Sequence, residues 1–381
     1  RKLNAFVAGG QRLFITTGLL QRSADAGQVI GVMAHEIGHI AGGHLVRLKG
    51  AMENAGTMVM ISQILGIAVG VLAGDPAAGL AVGAGGLQVT ERTLLKYSRT
   101  QERSADQAAV NMLEATGQSA RGLQQFLGIL ADQELLVSSR QDPYVRTHPL
   151  TRDRIAFIRN HVSRSRFSNR ATDPDIVRRH RRMLAKLAGF LDPPARTLRT
   201  YKADDNTLLA HYARAIAFYR IADLASALPL IDGLIAEYPD DPYFYELKGQ
   251  MLFENGRIEE SLGPMRTATR MLPDAPLLRT ALAHGQIELG RRDLLEPALR
   301  NLNHALCLDS LNPRAWRLSA TAYGRDGRLG MAALSLAEYS TLVGRRADAR
   351  EQAKRALKSL KQGTPAWQRA QDILRQARRR R

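Results

Sequence analysis

The sequence predicts two unlike parts: an α+β domain, mostly helical with a small β-hairpin, followed by an all-α solenoid of tetratricopeptide-type repeats. Three observations predict it. Two short β-rich runs, residues 3–8 and 13–17, flank the turn-forming Gly9-Gly10. Helical patterns follow with few breaks. From about Asn206 onward, prolines and glycines recur at a period near 34 residues.

The length of 381 residues suits two domains or slightly more, each with its own buried core. Apolar residues make up 45% and charged residues 24%, as in an ordinary soluble protein. The net charge is +18, densest over residues 161–204. Such a surface favours anionic partners, among them an anionic membrane face. No nucleic-acid-binding motif accompanies the charge, which argues against nucleic acid as the partner. The single cysteine, Cys307, excludes an intrachain disulfide and a cysteine-based metal site; its expected place is a buried helical position. No signal peptide opens the sequence, yet Arg1-Lys2-Leu3-Asn4 reads as the start of a strand, so the natural protein is expected to begin earlier.

Leu13-Phe14-Ile15-Thr16-Thr17 is rich in β-branched and aromatic residues and pairs with residues 3–8 as a hairpin. Gly18-Leu19-Leu20 begins a short helix. Asp25 caps a long one that carries Ala34-His35-Glu36-Ile37-Gly38-His39. Positions i and i+4 share a helix face, so His35 and His39 aim both imidazoles at one spot, where they can hold a divalent metal, in the first place Zn²⁺. Glu36 stands beside them, placed to take a proton from water. This is the H-E-x-x-H pattern of a metallopeptidase, weighed against a helix with two surface histidines. The helix is expected to run to about Lys49. His44, five residues beyond His39, would then sit roughly 140° off the His39 face and outside the ligand set.

Asn54 to Gly74 is a run of 21 uncharged residues, followed after Asp75-Pro76 by a Gly/Ala-rich run over 77–87. Three readings compete: a buried helical hairpin, an interfacial element touching membrane, and a true span. A further helical pattern from Tyr97 to Ala115 puts Glu102 and Asp106 on one face. There Glu102 can be a third, oxygen ligand, and Asp106 can fix a histidine tautomer. The competing reading is a solvated salt-bridge helix with Arg99 and Arg103. Residues 117–160 read as helical with a break at Asp142-Pro143. Pro149 ends one helix and Thr151 caps the next, leaving His148 in a loop where it can swing to the metal, fill an open position or stabilise an oxyanion. A solvated loop histidine is the alternative.

Residues 163–205 read as a basic helical connector, with Arg178-Arg179-His180-Arg181-Arg182 in one short helix and Asp192-Pro193-Pro194 ending the next. The metal-site domain is thus assigned to residues 1–162 and the repeats to residues 206–381. Pro242 and Pro276 are 34 residues apart and Pro313 follows after 37. Each is followed by a small residue seven positions on (Gly249, Ala283, Ala320) and by a glycine fourteen on (Gly256, Gly290, Gly327). Proline opening the first helix and glycine in the turn is a tetratricopeptide-type pattern. A degenerate pair over 207–238 and a last pair over 345–378 complete the array, whose groove would take a protein or peptide partner.

With these motifs in order, the chain resembles the zinc metallopeptidases of the HtpX and Oma type. The residues that carry the resemblance are Asn4-Ala5-Phe6, His35-Glu36-Ile37-Gly38-His39, Ser98-Arg99 with Glu102 and Asp106, and His148-Pro149. The resemblance implies a gluzincin-like fold with one Zn²⁺ per chain, held by His35, His39 and Glu102. It also implies Glu36 as general base, Asp106 behind the ligands, His148 at the active site, and Asn4 on the edge strand near the scissile carbonyl. It implies polypeptide substrates, unfolded or outer-membrane proteins, handled in quality control in the bacterial periplasm by the branch that carries repeats. The family's helical region ahead of the hairpin is missing from this sequence, and the membrane helices of the HtpX and Oma branches are not clearly present.

Overall fold

The structure is a computed structural model and describes residues 2–8, 11–44, 99–134, 144 and 148–379. The expectations for the Gly9-Gly10 turn, the apolar runs at 54–74 and 77–87, Ser98 and the Asp142-Pro143 break lie outside the described residues. The chain divides into two compact units, Arg1–Leu187 and Ala188–Arg381. The division falls inside the expected connector.

In the first unit, β1 (Ala5–Ala8) pairs antiparallel with β2 (Arg12–Ile15) in the register Phe6↔Phe14. Thr16 closes this hairpin: Asn4 N–H donates to Thr16 Oγ1, and the Thr16 N–H and hydroxyl both donate to the Asn4 carbonyl. Thr16 Oγ1 also caps α1 (Thr17–Arg22) by accepting from Leu19 N–H. Asp25 caps α2 (Ala26–Ala41) by accepting from Gln28 N–H.

The helix does not reach Lys49. Gly42 ends it, and Gly43 takes a φ of +61°, which turns the chain back on itself. A helical stretch over 99–115, α3, is followed by α4 (Arg121–Glu134) and α5 (Arg152–Arg164), capped by Thr151. Leu3, Leu19, Val32, Val110, Leu113, Leu123, Phe126 and Ile158 form one core between them. Residues 165–170 fold back on the start of α4, where the Ser119 hydroxyl and Arg121 Nε both donate to the Ser168 carbonyl. The basic stretch is one 18-residue helix, α6 (Pro174–Leu191), rather than two, because no proline intervenes between Pro174 and Pro193.

The second unit opens with the C-terminal end of α6 and α7 (Pro194–Thr200). Gly189 here lies against Ile216, and the Thr197 hydroxyl donates to the Ala188 carbonyl. Five helical hairpins follow: α8 (Leu208–Arg220) with α9 (Leu224–Glu237), α10 (Pro242–Glu254) with α11 (Ile258–Met271), α12 (Pro276–Glu288) with α13 (Leu295–Leu308), α14 (Pro313–Arg325) with α15 (Leu329–Leu342), and α16 (Arg346–Ser359) with α17 (Pro365–Arg379). This is a tetratricopeptide-type solenoid. Gly256, Gly290 and Gly327 carry φ of +80°, +68° and +78° in the turns between paired helices, a conformation open to glycine at no steric cost. The extra three residues of the α12–α13 repeat form a 3₁₀ turn, Arg292–Leu294, in the same place. Cys307 is exposed, not buried. Its neighbours Leu302, Ala305 and Leu306 hold the core stripe of α13, and Cys307 points off that stripe.

Among the described residues no helix is long and apolar enough to cross a membrane.

Candidate metal centre

The first unit brings four donor side chains to one point. His35 and His39 come from α2, Glu102 from α3 and His148 from the loop before α5, and their ligand atoms all lie within 4.8 Å of one another. The placement of α2 depends on close backbone approach. A Cβ on Gly38 would stand 2.6 Å from the Ala105 carbonyl oxygen of α3, and one on Gly31 would stand 2.6 Å from the Leu123 nitrogen of α4. Bare glycines at these two crossings let α2 lie directly on both helices, so His39 comes within reach of Glu102.

His35 Nε2 is 3.1 Å from His39 Nε2, 3.3 Å from Glu102 Oε2 and 3.4 Å from His148 Nδ1. Glu102 Oε1 is 3.3 Å from His39 Nε2 and 3.1 Å from His148 Nδ1. A tetrahedral site with metal–nitrogen bonds of about 2.0–2.1 Å has edges of roughly 3.3 Å. The donor set therefore fits a small divalent cation in both chemistry and spacing. It holds three imidazoles and a carboxylate, with no thiolate.

The surrounding groups fix this arrangement. His35 is fully buried, and its Nδ1 is 2.9 Å from Asp106 Oδ1. Burial alone would strip its proton, but the bonds to Asp106 and then Glu102 outweigh burial and raise its pKa from 6.5 to about 9. Burial lowers the pKa of His39, against an opposing bond to Glu102. Burial works against ionised Glu102, yet bonds from His148, His35 and His39 hold its carboxyl well below the usual range. Asp106 is likewise lowered: burial opposes, while the contacts to His35 and Arg154 prevail. Glu36 is buried, with Oε1 3.5 Å from His148 Nε2 and no hydrogen-bond partner among the described residues. This carboxylate oxygen borders the donor cluster through His148.

His148 is tied in by its predecessor. Its N–H donates to the Tyr144 carbonyl at 2.8 Å, and its ring stacks on Tyr144 with centroids 4.5 Å apart. Tyr144 N–H in turn donates to the Leu3 carbonyl, so the loop is joined to the strand end that bears Asn4. Asn4 itself stands one residue before β1. Among the described residues it makes no hydrogen bond to the cluster, and its Oδ1 is buried without a partner.

Two residues in this centre escape a reading of the sequence by spacing. His44 sits beside His39 after all, with Nδ1 to Nδ1 at 3.0 Å, because the helix ends before it and Gly43 turns the chain back. The adjacent Gly42-Gly43 was the available signal. Arg154 is buried against Glu102 and Asp106. Nothing local marks it, since it is one of several arginines near Thr151.

Fold and site together define a metallopeptidase domain joined to a helical-repeat solenoid. Residues 1–162 match the model of peptidase family M48. Over 361 residues the chain is 23% identical to the beta-barrel assembly-enhancing protease of Yersinia pestis and 25% identical to that of Escherichia coli (strain K12), in each case spanning 90% of this chain and 70% of the relative. It is also 28% identical over 162 residues to metalloprotease YcaL of Escherichia coli (strain K12), covering 42% of this chain and 59% of that one. The solved structure of MamA MSR-1 C2, 18% identical, aligns with 44% of this chain and 95% of its own at a TM-score of 0.38.

Proposed function

We propose that the chain is a zinc-dependent endopeptidase that acts on misfolded or stalled polypeptides in envelope quality control, with outer-membrane proteins as the substrate class. Its location would be the bacterial periplasm, with its basic surface free to touch an anionic membrane face, and its repeats would take the substrate or an assembly partner. The names of the relatives support the biological setting. The observation that carries the chemistry is the convergence of His35, His39 and Glu102 beside the buried Glu36, whose Oε1 faces His148.

In this reading His35, His39 and Glu102 hold Zn²⁺, one per chain. Bound there, the ion supplies Lewis acidity to a carbonyl and to water. Glu36 takes the proton of the attacking water and passes it to the leaving amine. Asp106 accepts from His35 Nδ1–H and so presents Nε2 to the site. His44 Nδ1 does the same for His39 by accepting from its Nδ1–H. An extended substrate adds to the hairpin edge by main-chain hydrogen bonds, with Asn4 beside the scissile carbonyl, which admits varied sequences.

The structure also favours a second reading, a latent peptidase on a repeat-based scaffold or chaperone. His148 Nδ1 stands among the donors, 3.1 Å from Glu102 and 3.4 Å from His35, where a fourth ligand belongs. A catalytic zinc keeps that position open. A His148→Ala chain that cleaves an unfolded polypeptide faster than wild type supports latency; a slower one makes His148 a participant in catalysis. Glu36→Gln tests both readings, because an unchanged cleavage rate would remove the peptidase assignment altogether.

A further inference from the structure

Arg154 is 2% exposed, and its guanidinium is fully engaged. Nε donates to Asp106 Oδ2 at 2.6 Å and Nη2 to Asp106 Oδ1 at 2.9 Å, a planar two-point grip. Nη1 lies 2.8 Å from Glu102 Oε2 and donates to the Pro149 carbonyl at 2.9 Å. One side chain thus touches the acid behind His35, the acid that faces both helix histidines, and the backbone directly after His148. The residue is held in register by its own N–H, which donates to Thr151 Oγ1 at the start of α5.

We infer that Arg154 is a positioning residue that ties the His148 loop to the metal centre and so sets where His148 stands relative to Glu102. The inference rests on reading His35, His39 and Glu102 as metal ligands. Offsetting buried carboxylate charge needs only a cation. Reaching Pro149 as well needs the forked geometry of arginine, because a lysine ammonium is a point charge and cannot grip Asp106 at two points while also spanning Glu102 and a loop carbonyl. The carbonyl contact is the informative one, since it contributes nothing to charge balance.

The consequence is mechanical. On its N-terminal side His148 is fastened to Tyr144, and on its C-terminal side Pro149 is fastened through Arg154 to Glu102 and Asp106. While that fastening holds, His148 is held beside Glu102 from both sides. If the fastening is lost, His148 and Pro149 lose their tie to the acids, and Glu102 loses the group beside its Oε2.

The test uses the full chain, stripped of metal, with Arg154→Lys and Arg154→Gln compared with wild type by hydrogen–deuterium exchange. With Arg154→Lys, amides at His148 and Leu150 should exchange about tenfold faster, while peptides from α2 and from the repeat unit stay within about twofold of wild type. Zinc affinity by chelator competition should fall about 10–100-fold in the same variant. Arg154→Gln should give at least as large an effect at the loop. If the glutamine variant does not fold, the lysine variant decides alone. Unchanged exchange at His148 in Arg154→Lys, a rise spread evenly over the whole unit, or failure of that variant to fold would each overturn the positioning role. Wild-type chain that takes up no zinc would overturn the metal reading instead, and the exchange result would still judge the tie between Arg154 and the loop.

Discussion

In the repeat unit, α10 and α11 come together because a glycine, Gly249, faces Met265, and every contact that matters is supplied within one hairpin or its neighbour. In the peptidase unit, α2 meets α3 and α4 through Gly38 and Gly31 facing backbone, and the groups that matter come from residues 35, 39, 102, 106, 148 and 154. The first arrangement is local and apolar. The second is long-range and buries charge. A local, periodic array tolerates a change by small shifts in neighbouring side chains. A buried network of ionised groups does not, because removing one partner leaves the others desolvated and unpaired.

The contrast can be broken or sharpened by experiment. The largest expected effect is on chemistry alone. Glu36→Gln should lower cleavage of an unfolded polypeptide on the order of 10²–10⁴-fold, with zinc content and melting unchanged. Second is removal of metal. Chelation should cost the peptidase unit about 3–4 kcal/mol when zinc had been present at 100–1,000 times its dissociation constant, and calorimetry should show the repeat transition unmoved. Equal shifts in both transitions would erase the distinction between the units.

Third, Gly38→Ala and Gly249→Ala form a matched pair. The added Cβ of Gly38→Ala meets the Ala105 backbone, so it should cost about 1–3 kcal/mol and weaken zinc binding. The added Cβ of Gly249→Ala meets Met265 Cγ at 2.6 Å, so the buried Met265 must repack, but the nearest backbone atoms stand at 3.4 Å rather than 2.6 Å. The helix-propensity gain of about 1 kcal/mol should offset part of that cost, so denaturant titration should find Gly249→Ala less destabilised than Gly38→Ala.

The smallest expected effect is on pH dependence. In the metal-free chain the pKa of His35 is raised from 6.5 to about 9, so its contribution to stability is complete below 6.5 and is lost as pH rises through about 9. Metal-free protein should therefore melt lower at pH 9.5 than at pH 6.5, and His35→Ala should flatten that difference. Zinc uptake near pH 7.5 should release about one proton, as a pH indicator in weak buffer would show.

The repeats are legible in the sequence because their determinants are local. Prolines start helices, glycines take positive φ in turns, and the three residues that lengthen the second interval form a 3₁₀ turn before Leu295. The H-E-x-x-H helix is legible for the same reason, as are the Asp25 and Thr151 caps. What spacing misses lies where the chain departs from regular structure or folds back over a long interval. His44 looks remote from His39 only if the helix is assumed to continue, and Gly42-Gly43 stop it. Arg154 gains its importance from Asp106, 48 residues away, and no periodicity links them. The basic stretch over 178–182 reads as solvated connector because charge hides the apolar residues on the other side of α6, yet His180 in its middle is buried.

The central claim is that His35, His39 and Glu102, gathered from two helices of the peptidase unit, hold one zinc ion. Competition titration of the metal-free full chain with a chromophoric chelator tests it most directly. The account predicts one tight equivalent of zinc per chain in wild type, lost in His35→Ala and in Glu102→Ala while both variants keep their folded repeat unit. A wild-type chain that binds no zinc, or variants that bind it as tightly as wild type, would contradict it.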